Sequence, residues 1–128
     1  MDRKERAVEI KHNAHNCCQA VLLAFADELK MSEEELNALG AAFGAGTGNM
    51  EATCGALVGA EMVLGMKNFR GKPILGDASK MHKEFFDLCG ASVCKDLKGR
   101  DTGVVICPCD DCIRNAVSIT ERMIGAGA

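Results

Sequence analysis

CGALVGAEMVLGM, residues 54–66, is apolar nearly all the way round a helical wheel. A helix with no face to offer water belongs at the centre of a bundle, so this stretch reads as the middle of an all-helical core. Gly55 and Gly59 fall one turn apart on one side, where the missing side chains let a neighbouring backbone come close. Glu61 is the one charge inside the run. Buried, it would have to find a donor or hold a proton, and a place at the solvent edge is the simpler expectation. The apolar stretch is far short of a bilayer span, so no transmembrane segment is expected.

The flanking sequence supplies helices to surround it. Asp2 with Glu5 is a capping pair for a helix over residues 3–11, and the polar stretch His12 to Asn16 interrupts it. Asn16 then caps CCQAVLLAFADEL, in which Cys18, Leu22, Phe25 and Leu29 share a stripe while Cys17 lies about 100° from Cys18. Cys18 should therefore face the core and Cys17 its margin. Ser32 and Glu35 form a further capping box, with Leu36, Leu39 and Phe43 on one face, and the helix should stop at GAGTGN, residues 44–49. Thr53 or Asn49 is the expected cap of the central helix. Beyond it, Lys67 to Gly76 reads as a connection. Asp77 precedes a long helix in which Met81, Phe85 and Leu88 recur at helical spacing, and Gly90 bends or ends it, which leaves open whether Cys89 and Cys94 share one helix. From Gly99 to Cys109 the chain should be irregular, apart from a short extended piece at Val104 to Ile106. Asp110 is the expected cap of a final helix with Cys112, Ala116, Ile119 and Met123 on one stripe. The expectation is an all-α fold, a small bundle of five or six helices with short connections, forming a single domain over residues 1–128.

Composition narrows the function. Eighteen acidic residues against fifteen basic leave a net charge of −3, with no excess to neutralise a phosphate backbone, and five Phe without Trp or Tyr offer little for base stacking. Nucleic acid is thereby excluded as a partner. The Gly44 to Gly48 turn follows no strand and precedes no Gly-Lys-Ser or Gly-Lys-Thr, so it is not a nucleotide loop. The opening residues MDRKERAVEIK carry no signal-type apolar stretch, and a cytoplasmic location is expected. In that compartment eight cysteines point to metal ligation or thiol chemistry more than to structural disulfides.

The densest chemical signal is Cys107-Pro108-Cys109-Asp110-Asp111-Cys112, whose C-x-C and C-x-x-C spacings bend readily around a soft metal. An iron–sulfur cluster, or alternatively zinc, would need a fourth ligand, for which Cys94 and Cys54 are the candidates; no metal at all is the remaining case. Cys17, Cys54 and Cys112 also fall near expected helix starts, where free backbone N–H groups favour a thiolate. Cys18, on its apolar stripe, reads as core packing, and Cys89, beside Phe85 and Leu88, divides evenly between packing and a site. His12 and His15 precede Cys17 as minor candidates for proton donation or ligation.

Asn16-Cys17-Cys18-Gln19-Ala20-Val21, Cys54-Gly55-Ala56-Leu57-Val58-Gly59, Cys94-Lys95-Asp96-Leu97 and Cys112 followed by Val117 together resemble the C_GCAxxG_C_C family of redox-active proteins. The resemblance runs over nearly the whole chain. It puts the four characteristic cysteines at Cys17, Cys54, Cys94 and Cys112, and implies a small cytosolic redox protein, a kind often encoded near transporter genes and with some selenocysteine-containing relatives. Cys18, Cys89, Cys107 and Cys109 are additions to that pattern and make metal ligation chemically available. Split-Soret cytochromes share a domain of this kind, but this chain has no C-x-x-C-H haem signature, so covalent haem is not expected.

Two mechanisms follow. In thiol/disulfide exchange, with Cys17, Cys54, Cys94 and Cys112 as catalytic residues, a thiolate at Cys54 or Cys17 attacks an oxidised sulfur and Cys94 or Cys112 resolves the intermediate. In electron transfer, Cys107, Cys109, Cys112 and Cys94 hold an iron–sulfur centre. A redox partner protein or a small thiol is the expected partner. Gly55, Gly59 and Ala60 suit a homodimer, and a structural zinc-binding protein or a non-catalytic helical interaction protein is the alternative.

Overall fold

The computed structural model describes residues 1–127 and carries seven α-helices. They are α1 (Arg3–His12), α2 (Cys17–Ala24), α3 (Glu33–Gly40), α4 (Gly55–Asn68), α5 (Leu75–Cys89), α6 (Cys94–Lys98) and α7 (Cys109–Gly127), with a single 3₁₀ turn at Ala26–Glu28 after α2. The fold class matches the expectation of an all-helical bundle; the count of five or six does not. The difference arises at Gly90, whose φ of 91° ends α5 in a left-handed cap and separates Cys94 onto its own short helix. Among the described residues no strand forms, and Val104 to Ile106 is exposed loop. Among the described residues, the β-type pairing is an isolated antiparallel bridge between Thr53 and Val93.

α4 lies at the centre, packed between α2 and α7; α1 covers α2 and α7, α3 covers α2, and α5 covers α7 and α4. Ala56, Leu57, Ala60, Val63 and Leu64 of α4 are buried with Val21, Leu22 and Phe25 of the second helix segment and Ile113, Val117 and Ile119 of α7. The close approach of α4 to α2 and to the segment after α3 depends on glycine. A Cβ at Gly59 would lie 3.0 Å from the Cys18 carbonyl oxygen, and one at Gly55 would lie 2.6 Å from that of Phe43. Cys18 is fully buried at this contact, as its stripe requires.

The expected caps of α1, α2 and α3 are present: Asp2, Asn16 and Ser32 each accept an N–H bond from the residue three further on, and the latter two complete capping boxes with Gln19 and Glu35. The other starts differ. Cys54, rather than Thr53 or Asn49, caps α4; α5 begins at Leu75, two residues ahead of Asp77; and Asp110 lies inside the first turn of α7. Leu39 and Leu88 are exposed, because α3 ends at Gly40 and because the buried stripe of α5 runs Met81, Phe85, Cys89 at a spacing of four. Glu61 is half-buried, and burial raises its carboxyl pKa although nearby His82 pulls the other way. Among the described residues no helix is long and apolar enough to cross a membrane.

Candidate functional site

Helix starts deliver the thiols. Cys17 opens α2, Cys54 caps α4, Cys94 opens α6, and Cys109 opens α7 with Cys112 one turn further on. The first start is fixed by Asn16, whose side-chain oxygen accepts from Gln19 N (2.8 Å) while its amide donates to the Gly40 and Ala41 carbonyls (3.1 and 3.2 Å). Cys54 and Cys94 are set beside each other by the Thr53–Val93 bridge: Cys54 N donates to Ser92 O (2.8 Å) and Cys94 N to Ala52 O (3.0 Å). Gly46 closes over this pair, leaving so little room that a Cβ there would stand 2.7 Å from the Cys94 Cβ. The return loop is held when Ile106 N and Cys107 N both donate to Leu97 O, at the end of α6 (3.1 and 3.3 Å).

The result is a concentration of sulfur that no single segment encodes. All eight cysteines are free thiols; Cys17 and Cys109 lie close enough to shift each other's proton affinity, as do Cys54 and Cys112, and Cys94 lies within electrostatic range of Cys54 and Cys109. Cys89, Cys107 and Cys112 form a tighter group, all buried, with their sulfurs within 4.8 Å of one another. Lys98 reaches in from α6: its ammonium donates to Cys107 O (3.0 Å) and to Cys112 Sγ (3.3 Å). Asn115 Nδ2 donates to Cys89 Sγ (3.3 Å), and the Cys112 thiol approaches Cys107 O at 3.5 Å.

Charge within the cluster is uneven. Cys109 is half-buried, and its thiol is held well below the ordinary value, to about 5, by the Cys17 thiol first and by the ammonium groups of Lys98 and Lys11 as well, against the effect of burial. Cys17 moves the opposite way, because its hydrogen bond with Cys109 and its burial both keep its proton on. Cys54 is raised by Cys112 and by burial, with the Ala56 N–H acting against them. Cys112 is raised on balance: contact with Cys54 lowers it, but Cys89 and burial outweigh that. Burial lifts Cys94, takes Cys107 to about 11 and takes Cys18 to about 12. Burial alone would draw Lys98 down, yet the sulfurs of Cys112, Cys109 and Cys54 more than reverse this and keep it a cation. One thiol of the centre is thus drawn towards its anion, beside a partner that is held towards its protonated form.

All four cysteines expected to be catalytic, Cys17, Cys54, Cys94 and Cys112, lie at this centre. Of the expected metal ligands, Cys107 and Cys112 belong to the compact trio; its third member is Cys89, while Cys109, Cys94 and Cys54 stand outside it. His12 is engaged with Asp110 (2.9 Å) and His15 with Ile10 O (3.0 Å). Sequence reasoning missed Lys98 altogether, although its place four residues after Cys94 puts the two on one helix face, a spacing that could have revealed it. It also left unassigned the pairing of Cys17 with Cys109.

Comparison with curated proteins and with solved structures returns no match. A family described as “Putative redox-active protein (C_GCAxxG_C_C)” matches residues 15–123. That span contains every cysteine of the centre, and the buried trio within it can hold a metal. By a match over most of its length, the chain belongs to the C_GCAxxG_C_C family.

Proposed function

We propose that the protein is a dithiol redox carrier in which Cys109 attacks and Cys17 resolves. One observation carries this: a half-exposed thiol at the start of α7 stands against a nearly buried thiol at the start of α2, with a lysine ammonium beside them. Both helix starts present free N–H groups that favour a sulfur anion. The Cys109 thiolate attacks one sulfur of a partner disulfide, forming a mixed disulfide and expelling the other sulfur as a thiolate that takes a proton from water. Cys17 then gives up its proton to solvent and attacks the Cys109 sulfur. The Cys17–Cys109 disulfide forms, and the second partner sulfur leaves as a thiolate. Two electrons pass from the protein dithiol to the partner, and the reverse sequence oxidises a partner dithiol. The partner is a disulfide-bearing protein or a small thiol, entering at Cys109 because Cys17, Cys54, Cys94 and Cys112 are covered.

A second reading is electron transfer through an iron–sulfur centre, supported by Cys54, Cys94, Cys109 and Cys112, thiols close enough for Cys112 to act on Cys54 and for Cys54 and Cys109 to act on Cys94. Four thiolates suit such a group, and these four residues would hold it. When bound, the cluster would supply one-electron transfer, while this chain's contribution is the Lys98 charge and the burial around the sulfurs.

The test is anaerobic purification with iron and sulfide assays, followed by oxidation with a small disulfide and peptide mapping. Protein free of iron and sulfide that forms a Cys17–Cys109 link supports the dithiol mechanism. Stoichiometric iron and sulfide with visible absorption would replace it by the cluster, and eight thiols inert to oxidation and reduction would remove both.

A further inference from the structure

Cys89, Cys107 and Cys112 are not used by the dithiol mechanism, and only Cys112 is shared with the four thiols of the iron–sulfur reading. We propose that these three thiols are a three-coordinate site for a soft monovalent cation, copper(I). Their sulfurs lie within 4.8 Å of one another. Three sulfurs around one ion at metal–sulfur distances of about 2.3 Å stand about 4.0 Å apart, so the trio is within an ångström of closing on a single ion. A cluster would force these sulfurs apart.

The donor set selects the ion. Among the described residues no His, Asp or Glu joins the three cysteines within ligand distance. Structural zinc takes four ligands in a tetrahedron, and here a fourth is missing from the compact group. Calcium, magnesium and manganese take oxygen, of which the group offers no side-chain ligand. Thiolates select copper(I), which is satisfied by three.

The surroundings are arranged for sulfur as an acceptor. Asn115 Nδ2 points its N–H at Cys89 Sγ (3.3 Å), and the Lys98 ammonium points at Cys112 Sγ (3.3 Å). These are the outer partners that orient metal-bound sulfur, and Lys98 offsets part of the negative charge that three thiolates keep after binding one monovalent ion. Binding releases the three thiol protons to solvent. Lys98 continues to hold Cys107 O when the Cys112 proton leaves, so that carbonyl keeps a donor.

The experiment titrates the fully reduced full-length protein, without oxygen, with copper(I) supplied as its coloured bathocuproine complex. The wild type should remove one equivalent from the chelator, and X-ray absorption of that form should give three sulfurs at about 2.3 Å with no nitrogen or oxygen. Cys89→Ser should weaken binding by more than about a hundredfold, beyond the cost of losing an outer partner, whereas Cys109→Ser should bind like the wild type. The proposal is overturned if the wild type takes up no copper(I), if zinc(II) displaces it at equal concentration, or if Cys109→Ser loses the ion while Cys89→Ser keeps it. The absorption measurement uses the wild type, so it decides the question even where a variant does not fold. Absence of copper leaves the Cys17–Cys109 mapping untouched, and the two proposals fail separately.

Discussion

Two glycines of one helix should respond to alanine in opposite directions. At Gly55 the added Cβ would stand 2.6 Å from the Phe43 carbonyl oxygen, and at Gly65 it would meet nothing within 4 Å. A carbon and a carbonyl oxygen rest comfortably at about 3.3 Å, so Gly55→Ala requires about 0.7 Å of separation between backbones that cannot rotate aside. Overpacking of this kind costs about 1–3 kcal/mol, and the helix-propensity gain, at most about 1 kcal/mol, is reduced at the first position of a helix. The net is a loss of about 1–2 kcal/mol. Gly65→Ala has only the propensity term and should stabilise by about 0.5–1 kcal/mol. At roughly 4 °C per kcal/mol for a chain of this length, the two variants should melt roughly 6–12 °C apart, with the wild type between them. Thermal melts of the reduced proteins, repeated as urea titrations, measure this directly. Gly55→Ala melting at or above the wild type would refute the claim that the start of α4 fits against the Phe43 backbone only because a side chain is missing.

Ultraviolet thiolate absorbance should persist through the neutral range and fall as the pH drops through about 5, the value to which Cys17 and Lys98 draw Cys109. The folded value lies below that of an unfolded thiol, so this ion's contribution to stability is fully present above about pH 8.5 and is lost as the pH falls through the folded value. A midpoint at the unfolded value would contradict the arrangement. Lys98→Met should raise the Cys109 midpoint by about 1–3 pH units, with Lys98→Arg restoring most of it. Absorbance is the proper readout, because intrinsic nucleophilicity rises with thiol pKa and would mask the change in an alkylation rate. Asn16→Ala removes the α2 cap and two donors to the end of α3, and should cost about 1–3 kcal/mol in urea unfolding; an unchanged midpoint would mean that the cap is dispensable.

What the sequence made legible were features set by near neighbours. The Asn16–Gln19 and Ser32–Glu35 boxes and the burial of Cys18 follow from spacings of three and four residues, and the central position of α4 from a run that is apolar on every side. What it hid were features set by partners far along the chain. Whether α5 ran through Gly90 depended on a left-handed backbone angle that glycine permits without requiring. On α5 the spacing of three placed Leu88 with Phe85, whereas α7 and α4 cover the face on which Cys89 follows Phe85 by four. The same displacement brings Cys89 to Cys107 and Cys112. The cysteines were conspicuous, but their grouping is decided by the Thr53–Val93 bridge and by the loop returning to Leu97, neither of which leaves a periodic mark.

α7 follows every other helix in the chain and packs against α1, α2, α4 and α5. During synthesis, then, Cys17 and Cys54 emerge from the ribosome well before Cys109 and Cys112, the α7 residues that come to lie against them. In that interval they are ordinary accessible thiols, open to pairing with each other or with a neighbouring nascent chain. Nascent material made under oxidative stress should accumulate wrong crosslinks that the finished protein resists, and the vulnerability of this fold lies in its assembly more than in its completed state.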